Sequence, residues 1–523
     1  MKFTVDRDAL GEAVTWVARA LPTRPVLPVL AGLLLRAERE DPDQIGRNGQ
    51  GLLTLSCFDY EVSARMRVRA EVAEPGTFLV PGRLLVEIVR SLPGAPVEFG
   101  DDPDGISVTC GEASFAVASL QSAEYPELPD LPQLAGTADG GVLATAIGQV
   151  TPAASRDDTL PMLTAVNVEF DGITMTLAAT DRYRLAVREM AWNPAPGFAD
   201  QGRTALLVPA RTLSDAAKMM SAGAEVRIML RPSGDGTGAA APAGGGQAGG
   251  GVGAGRFAAS GSGPAEAMIG FEAGERQLTA RLLAGEFVRY RSRFPEEFGC
   301  TADLPAEAFA EAVRRVALVA ERGTPVQLTF APGRVTVGAA TQGQARARES
   351  VPADFTGDEP AIAFSPHYLL DGVIAATATA GPTATAAGGH PSGGRPGAAG
   401  SGTAADQGHS DGGGHAGPSG RVRLWFTSAS KPAVITSQPD PDADAKQAES
   451  AFRYLVVPQR VAQLSARWRL MAWRDARAER GGEPVPGEQQ GREQPDQHGQ
   501  YQQRERRELG RPVHRRRFWL RVP

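Results

Sequence analysis

The side chains that could do chemistry are few and poorly placed for it. All six histidines, His367, His390, His409, His415, His498 and His514, come after residue 366. The long stretch before them therefore offers no imidazole for proton transfer or metal binding. Cys57, Cys110 and Cys300 lie far apart with no CxxC spacing, which reads as buried small apolar side chains and not as a zinc site or disulfide framework. Asp59 and Asp181 close similar strand-like segments and are candidate metal ligands. Asp181, however, sits in ATDRYR beside Arg182 and Arg184, whose charge disfavours a cation, and at the matching place further on the reading finds Thr341. No nucleophile elbow, Walker loop, HExxH helix or dinucleotide fingerprint occurs. These residue types point to binding and organising, not to turnover, and no cofactor is expected.

The elements that carry these residues recur three times. A helix-like opening appears as KFTVDRDALGEAVTWVARALP from Lys2, GGVLATAIGQVTPAASRD from Gly140 and LPAEAFAEAVRRVALVAER from Leu304. A strand that turns over a polar pair follows, as LLTLSCFDYEVSARMRV, MTLAATDRYRLAVREM and VTVGAATQGQARARESV, with Asp59, Asp181 and Thr341 read as equivalent. A second helix-like segment opens near Pro81, Pro209 and Pro366. A period this long is a repeated domain and not a solenoid unit. Within each copy the pattern predicts a short strand, an amphipathic helix, several strands, a second helix and further strands. In the first helix Leu10, Ala13, Val14, Val17 and Leu21 make one apolar face.

Two runs of Gly, Ala, Ser and Pro, at about 231–265 and about 377–420, cannot bury apolar area and are expected to be disordered insertions within domains. Loop closure rises slowly with length, so neither forbids the fold. No apolar run is long enough to cross a bilayer and Met1 leads straight into a strand, so a cytoplasmic protein with no membrane partner is expected.

Basic residues recur at matching places on the helices: Arg19 and Arg24, Arg83 and Arg90, Arg211 and Lys218, then Arg314, Arg315 and Arg322. Singly each reads as a solvated helix face. Their repetition marks a shared surface.

Six ordered segments, MKFTVDRDAL, LPTRPVLPVLAGLLL from Leu21, SRDDTLPMLTAVNVEF from Ser155, ATDRYRLAVRE from Ala179, GEFVRYRSRFP from Gly285 and FRYLVVPQR from Phe452, resemble the bacterial DNA polymerase III beta subunits, the sliding clamps. The resemblance runs from Met1 to about Val461 outside the two low-complexity runs. It implies an α+β fold of three tandem clamp domains, each with two helices packed on antiparallel sheets, and a head-to-tail homodimeric ring around double-stranded DNA. The implied domains are 1–133, 134–298 and 299–461, followed by a tail at 462–523. A net charge of −6 is compatible with this, because basic helices line the hole while acidic groups cover the outside. The implied phosphate contacts are Arg24 and Arg83, with Arg211, Lys218, Arg314 and Arg315 at corresponding helices. Where some members present aromatic and amide side chains, this chain has Asp157, Pro161 and Met162, and Arg156 is the candidate substitute.

The resemblance also implies a cleft between domains two and three that takes a short peptide with one aliphatic and one aromatic anchor. The matching residues are Leu163, Thr180, Arg182, Tyr183, Arg184, Leu185, Pro295, Leu455, Val457, Pro458, Gln459 and Arg460. Val457 and Gln459 replace the methionines many relatives carry, which makes a stiffer pocket. The implied partners are the DNA polymerase III catalytic subunit, the clamp loader and other proteins bearing a clamp-binding motif. The tail, rich in Arg, Gln and Glu, reads as an out-of-register extension, as a basic arm for nucleic acid, or, through QLSARW, as a segment that folds back into the cleft. The expected function is a non-catalytic processivity factor. Its alternatives are a divergent clamp paralogue with altered polymerase binding and, from another class, a metal-dependent DNA-acting enzyme using Asp181 or Asp59.

Overall fold

The computed structural model describes residues 1–39, 50–103, 105–198, 202–220, 223–231, 267–320, 323–341, 345–357, 361–378, 420–438 and 451–459. The two insertions, the tail, Arg322 and Arg460 lie outside the described residues, as do all histidines except His367.

One plan is laid down three times. The first copy has β1 (Lys2–Val5), α1 (Arg7–Val17), β2 (Gly32–Arg39), β3 (Gln50–Phe58), β4 (Val62–Glu74), β5 (Gly76–Pro81), α2 (Gly82–Ser91), β6 (Val97–Asp102), β7 (Gly105–Cys110) and β8 (Ala113–Val117). The second has β9 (Gln133–Asp139), α3 (Gly140–Val150), β10 (Ala165–Asp171), β11 (Thr174–Thr180), β12 (Arg184–Ala191), a short β13 (Asn193–Pro194), β14 (Thr204–Pro209), α4 (Ala210–Ala217), β15 (Glu225–Arg231), β16 (Met268–Ala273) and β17 (Arg276–Arg281). The third has β18 (Cys300–Pro305), α5 (Ala306–Ala317), β19 (Val326–Ala331), β20 (Arg334–Thr341), β21 (Ala345–Pro352), a short β22 (Asp354–Thr356), β23 (Ala361–Phe364), α6 (Pro366–Thr377), β24 (Arg421–Phe426), β25 (Ala433–Ser437) and β26 (Phe452–Val456).

Local chemistry fixes the helix starts. Asp6 caps α1 by accepting from the Asp8 and Ala9 amides, at 3.0 and 2.9 Å, and Asp139 caps α3 by accepting from Val142 N at 2.9 Å. Pro81 and Pro209 occupy the cap position before α2 and α4, whereas Ser365 holds that place before α6 and Pro366 is the first helical residue. In each copy the two helices pack on one another, and Leu10, Val14, Trp16 and Val17 of α1 are buried against the sheet. Trp16 thus joins the predicted apolar face, and Leu21 is buried just beyond the helix end.

The hairpins at Asp59 and Asp181 are built alike. Each carboxylate accepts from the amides two and three residues on, Glu61 and Val62 in one case, Tyr183 and Arg184 in the other. That wrapping puts Tyr60 and Arg182 in the left-handed region at φ 72° and 80°. The metal-ligand alternative finds no support here: among the described residues no three His, Cys, Asp or Glu side chains gather to hold an ion, Oδ1 of each aspartate is engaged by its own turn, and Asp181 Oδ2 also accepts from Arg184 Nε at 3.0 Å. The third hairpin is one residue shorter: Thr341 pairs with Ala345 where Thr180 pairs with Leu185, so Thr341 is the counterpart of Thr180 and not of Asp181.

All strand pairings are antiparallel, and the sheets run through the junctions between copies. The last strand of the second copy, β17, pairs with β4 of the first, and the last strand of the third, β26, pairs with β12 of the second. By the same rule β8 and β21 are left as edges at the two ends of the series.

Glycines test the packing. Gly148 lies exposed inside α3 with nothing near an added Cβ, so Gly148→Ala should stabilise by up to about 1 kcal/mol. A Cβ on Gly372 in α6 would come within 2.6 Å of the Tyr454 ring, so Gly372→Ala should destabilise by about 1–3 kcal/mol. Opposite shifts in melting temperature check both; a neutral Gly372→Ala would show that α6 does not press on β26 as described.

Candidate functional site

The predicted basic residues do not act as one set. Arg24 follows α1 and lines a cavity of about 250 Å³ together with Arg19, Arg211 of α4, Asp59, Asp215 and an apolar floor that includes Trp16, Leu21, Val62 and Leu278. Arg83 of α2 reaches the same segment through Pro22 O at 3.4 Å. Arg156 is exposed in the loop after α3, one residue before Asp157, which holds the place of Arg24 in the second copy. Lys218, Arg314 and Arg315 are already compensated. Lys218 pairs with Asp215 at 2.6 Å, Arg314 with Glu311 at 2.5 Å, and Arg315 with Glu349 at 2.6 Å and Glu311 at 3.3 Å. Arg19, Arg24, Arg83 and Arg211, like Arg90 and Arg156, carry no ion pair among the described residues, and these four also gather around one cavity and its edge, which makes them the cations best able to meet phosphate together.

The apolar cleft lies on the opposite face of the sheet from the helices. Strand alternation puts Ala178, Leu185, Val187 and Leu455 on that face, and Tyr290, from the loop before β18, packs on them with Phe287, Phe294 and Val457. Thr180 stands opposite Leu185, and Leu185 opposite Leu455. Thr180 Oγ1 is occupied by the turn, donating to Arg184 O at 2.6 Å and accepting from Arg182 N at 3.1 Å. Val457 N donates to Tyr183 O at 2.8 Å and Gln459 N to Ala363 O at 2.8 Å, so the segment through Pro458 is tied to both copies. Leu163 is buried and Pro295 half-buried, both outside this apolar cluster, while Arg182 and Tyr183 are exposed on the turn.

Arg184 corrects the sequence reading, which put it at the cleft. It alternates with Leu185 and so points the other way, toward α6. Its guanidinium meets Asp181 at 3.0 Å, Asp371 of α6, and Tyr454 Oη at 3.4 Å, and lies 4.5 Å from the Tyr368 ring centroid. Burial works against its charge, but the Tyr454 hydroxyl and the Asp371 and Asp181 carboxylates outweigh that and raise its pKa. The same neighbourhood depresses His367: burial first, then the Arg184 charge, hold its imidazole below the ordinary value. Arg184 is thus a pin between the second and third copies. The corresponding place at the first junction holds Val62.

Sequence reasoning missed Ala178, Val187, Phe287, Tyr290 and Phe294. The alternation in AATDRYRLAVRE carries the first two. The aromatic spacing in GEFVRYRSRFP carries the rest, once that loop is known to lie over the sheet.

Comparison with known proteins bears on this geometry. Family models described as the N-terminal, central and C-terminal domains of the DNA polymerase III beta subunit match residues 1–129, 138–288 and 291–380. A protein from Streptomyces coelicolor named beta sliding clamp is 41% identical over 462 residues, 88% of this chain and 100% of its own length. One of the same name from Micrococcus luteus is 43% identical over 353 residues, 67% of this chain and 99% of its own. The crystal structure of the DNA polymerase sliding clamp from Bacillus subtilis superposes with a TM-score of 0.64 at 22% identity, over 88% of this chain and 99% of that one, which shows the fold.

Replacing Arg184 separates its two possible roles. Arg184→Met leaves Asp181 and Asp371 uncompensated and should cost about 3 kcal/mol of stability in urea unfolding, with Arg184→Lys recovering only part. An unchanged midpoint would return Arg184 to the cleft rim.

Proposed function

This chain belongs to the DNA polymerase III beta subunit family, and from that premise we infer that it works as a sliding clamp, a non-catalytic ring that encircles duplex DNA and tethers polymerase. The single observation that carries the reading is the rule of strand pairing. The last strands of the second and third copies complete the sheets of the copies before them, and among the described residues β8 and β21 are the members of that pairing series left without such a partner. Two chains joined β8 to β21, twice, satisfy both edges and close a six-domain ring; a head-to-tail contact that did not close would grow a filament. Domains at 1–133, 134–298 and 299–461 fit this scheme.

Leu318 supports the same closure. It caps the C-terminal end of α5, is 84% exposed, and follows the turn that Arg315 ties to Glu349 of β21. An aliphatic side chain so placed gains by meeting the partner's β8, where Phe115 is only half-buried.

Arg19, Arg24, Arg83 and Arg211 face DNA in this reading, through phosphates, with little sequence preference and strong salt dependence. Retention comes from topology, so contacts can be weak enough to slide. The apolar cleft receives the peptide of the polymerase catalytic subunit, the clamp loader or another partner, its anchors packing on Leu185, Leu455, Val457 and Tyr290. No described helix is long and apolar enough to cross a membrane; we place the protein in the cytoplasm with the replication machinery.

Light scattering tests the ring. The full chain should have the mass of a dimer, and Leu318→Asp should weaken dimerisation by at least about tenfold by placing a charge in the interface, while peptide binding at the distant cleft persists. A monomeric parent protein, or a Leu318→Asp variant as dimeric as its parent, would contradict the proposed closure.

A further inference from the structure

We propose that the outer face of the second copy carries a charged annex to the apolar cleft, built by Arg203, Arg291 and Tyr290, which takes an acidic residue of the same partner peptide. This rests on the cleft reading above and adds the chemistry of a second subsite.

Strand register makes the cleft and the annex one continuous surface. Leu455, Leu185 and Thr180 form one row across β26, β12 and β11; Arg453, Val187, Ala178, Asn167 and Leu207 form the next; Glu189, Thr176, Glu169 and Ala205 form a third. The surface thus grades from apolar to charged. The loop of residues 285–292 borders the charged part and encloses a cavity of about 550 Å³ with Asn167, Glu169 and Arg203, within the range of ligand sites. Tyr290 is the shared wall: its ring packs in the apolar cluster and the residue also lines the cavity.

The annex is built around a buried carboxylate. Glu169 is 6% exposed, and its Oε1 accepts from Asn167 Nδ2 at 2.9 Å. Its Oε2 accepts from Arg291 Nη2 at 2.9 Å and also from Arg203 Nη2. Burial alone would raise this carboxyl, but the hydrogen bonds from Arg291 and Arg203 outweigh it and hold its pKa down. One carboxylate thus fixes two half-exposed guanidiniums. Each guanidinium has five N–H donors, so most remain for a ligand. Arg291 also lies 3.8 Å from Glu189, which pairs with Arg453 at 3.3 Å, and Arg289 and Glu286 complete the rim. Counting these groups, the cations exceed the anions.

The Tyr290 hydroxyl is the second, independent sign of a ligand. The residue is 4% exposed, and its hydroxyl makes no well-formed hydrogen bond among the described residues, although it lies close enough to Glu169 for burial and that carboxylate to raise its pKa. Leaving such a group unpaired costs about 1–3 kcal/mol. The first copy supplies the comparison. Its tyrosine in the corresponding loop, Tyr125, accepts the Phe58 amide at 2.8 Å, whereas Tyr290 has no such bond to the corresponding strand. Guanidinium N–H groups and a phenol all offer protons, so the occupant is an acceptor with negative charge, a carboxylate. A peptide with its apolar anchors in the cleft runs past the shared Tyr290 wall and can deliver one.

The test uses the full chain and fluorescently labelled peptides carrying one aliphatic and one aromatic anchor. Aspartates are placed beyond one end or beyond the other, each with an asparagine control. One aspartate peptide should bind about fivefold tighter than its control. That ratio should fall to about 1 in Arg203→Gln, whose affinity for the asparagine peptide stays at the wild-type value and so reports an intact cleft, and should also fall in Tyr290→Phe. Equal binding of aspartate and asparagine peptides to the wild-type protein, or a preference that survives both substitutions, would overturn the annex while leaving the cleft reading in place. If no peptide binds at all, the cleft reading fails and the annex falls with it.

Discussion

A sheet edge is an unfinished ladder of hydrogen bonds, and an exposed one invites another strand. This fold repeats that condition three times and satisfies it twice within the chain, β17 finishing on β4 and β26 on β12. The helices then necessarily share one side and the loops before β9 and β18 the other. With the ladder fixed, the position of every basic side chain, of the cleft and of the unfinished ends follows. A second copy is the partner that completes β8 and β21 without creating a new edge, which is why one chain implies a ring.

The two internal junctions share backbone geometry and differ in side chains, and the differences assign their roles. On the outer face the first junction has Ser63 and Thr279 bonded to one another at 2.5 Å, where the second has Leu185 against Leu455. A polar pair offers an apolar peptide nothing, so the cleft exists only at the second. On the helix side the second junction is filled by the Arg184 guanidinium among Asp181, Asp371 and Tyr454, while the first has Val62 and Leu278 and keeps a cavity edged by Arg19, Arg24 and Arg211. The first junction therefore leaves its cations open and the second spends its cation on cohesion. In the function proposed above, nucleic acid meets the first junction and peptide the second.

Much of this was legible in the residues. Repetition announced three domains, alternation announced the strands, and Pro81, Pro209 and Pro366 marked helix starts that the structure keeps. Thr341 was set one place too far along; the pairing with Ala345 shows it to be the last strand residue before its turn, as Thr180 is, with the missing residue falling after it. Arg184 was given to the cleft because its neighbours belong there, yet adjacent strand residues face opposite sides. Lys218, Arg314 and Arg315 looked like free cations because their acidic partners come from elsewhere on the helix or from a distant strand. The charged annex was illegible for the same reason: Glu169, Arg203 and Arg291 are far apart in sequence, and only the sheet brings them together.

The central claim is that this chain holds DNA by encirclement. The direct measurement is retention of the full-length protein on nicked circular DNA after incubation with a bacterial clamp loader and ATP, before and after the circle is cut. Encirclement predicts that the protein stays on the circle and slides off once it is linear. Equal retention on both forms, or none on either, would contradict it.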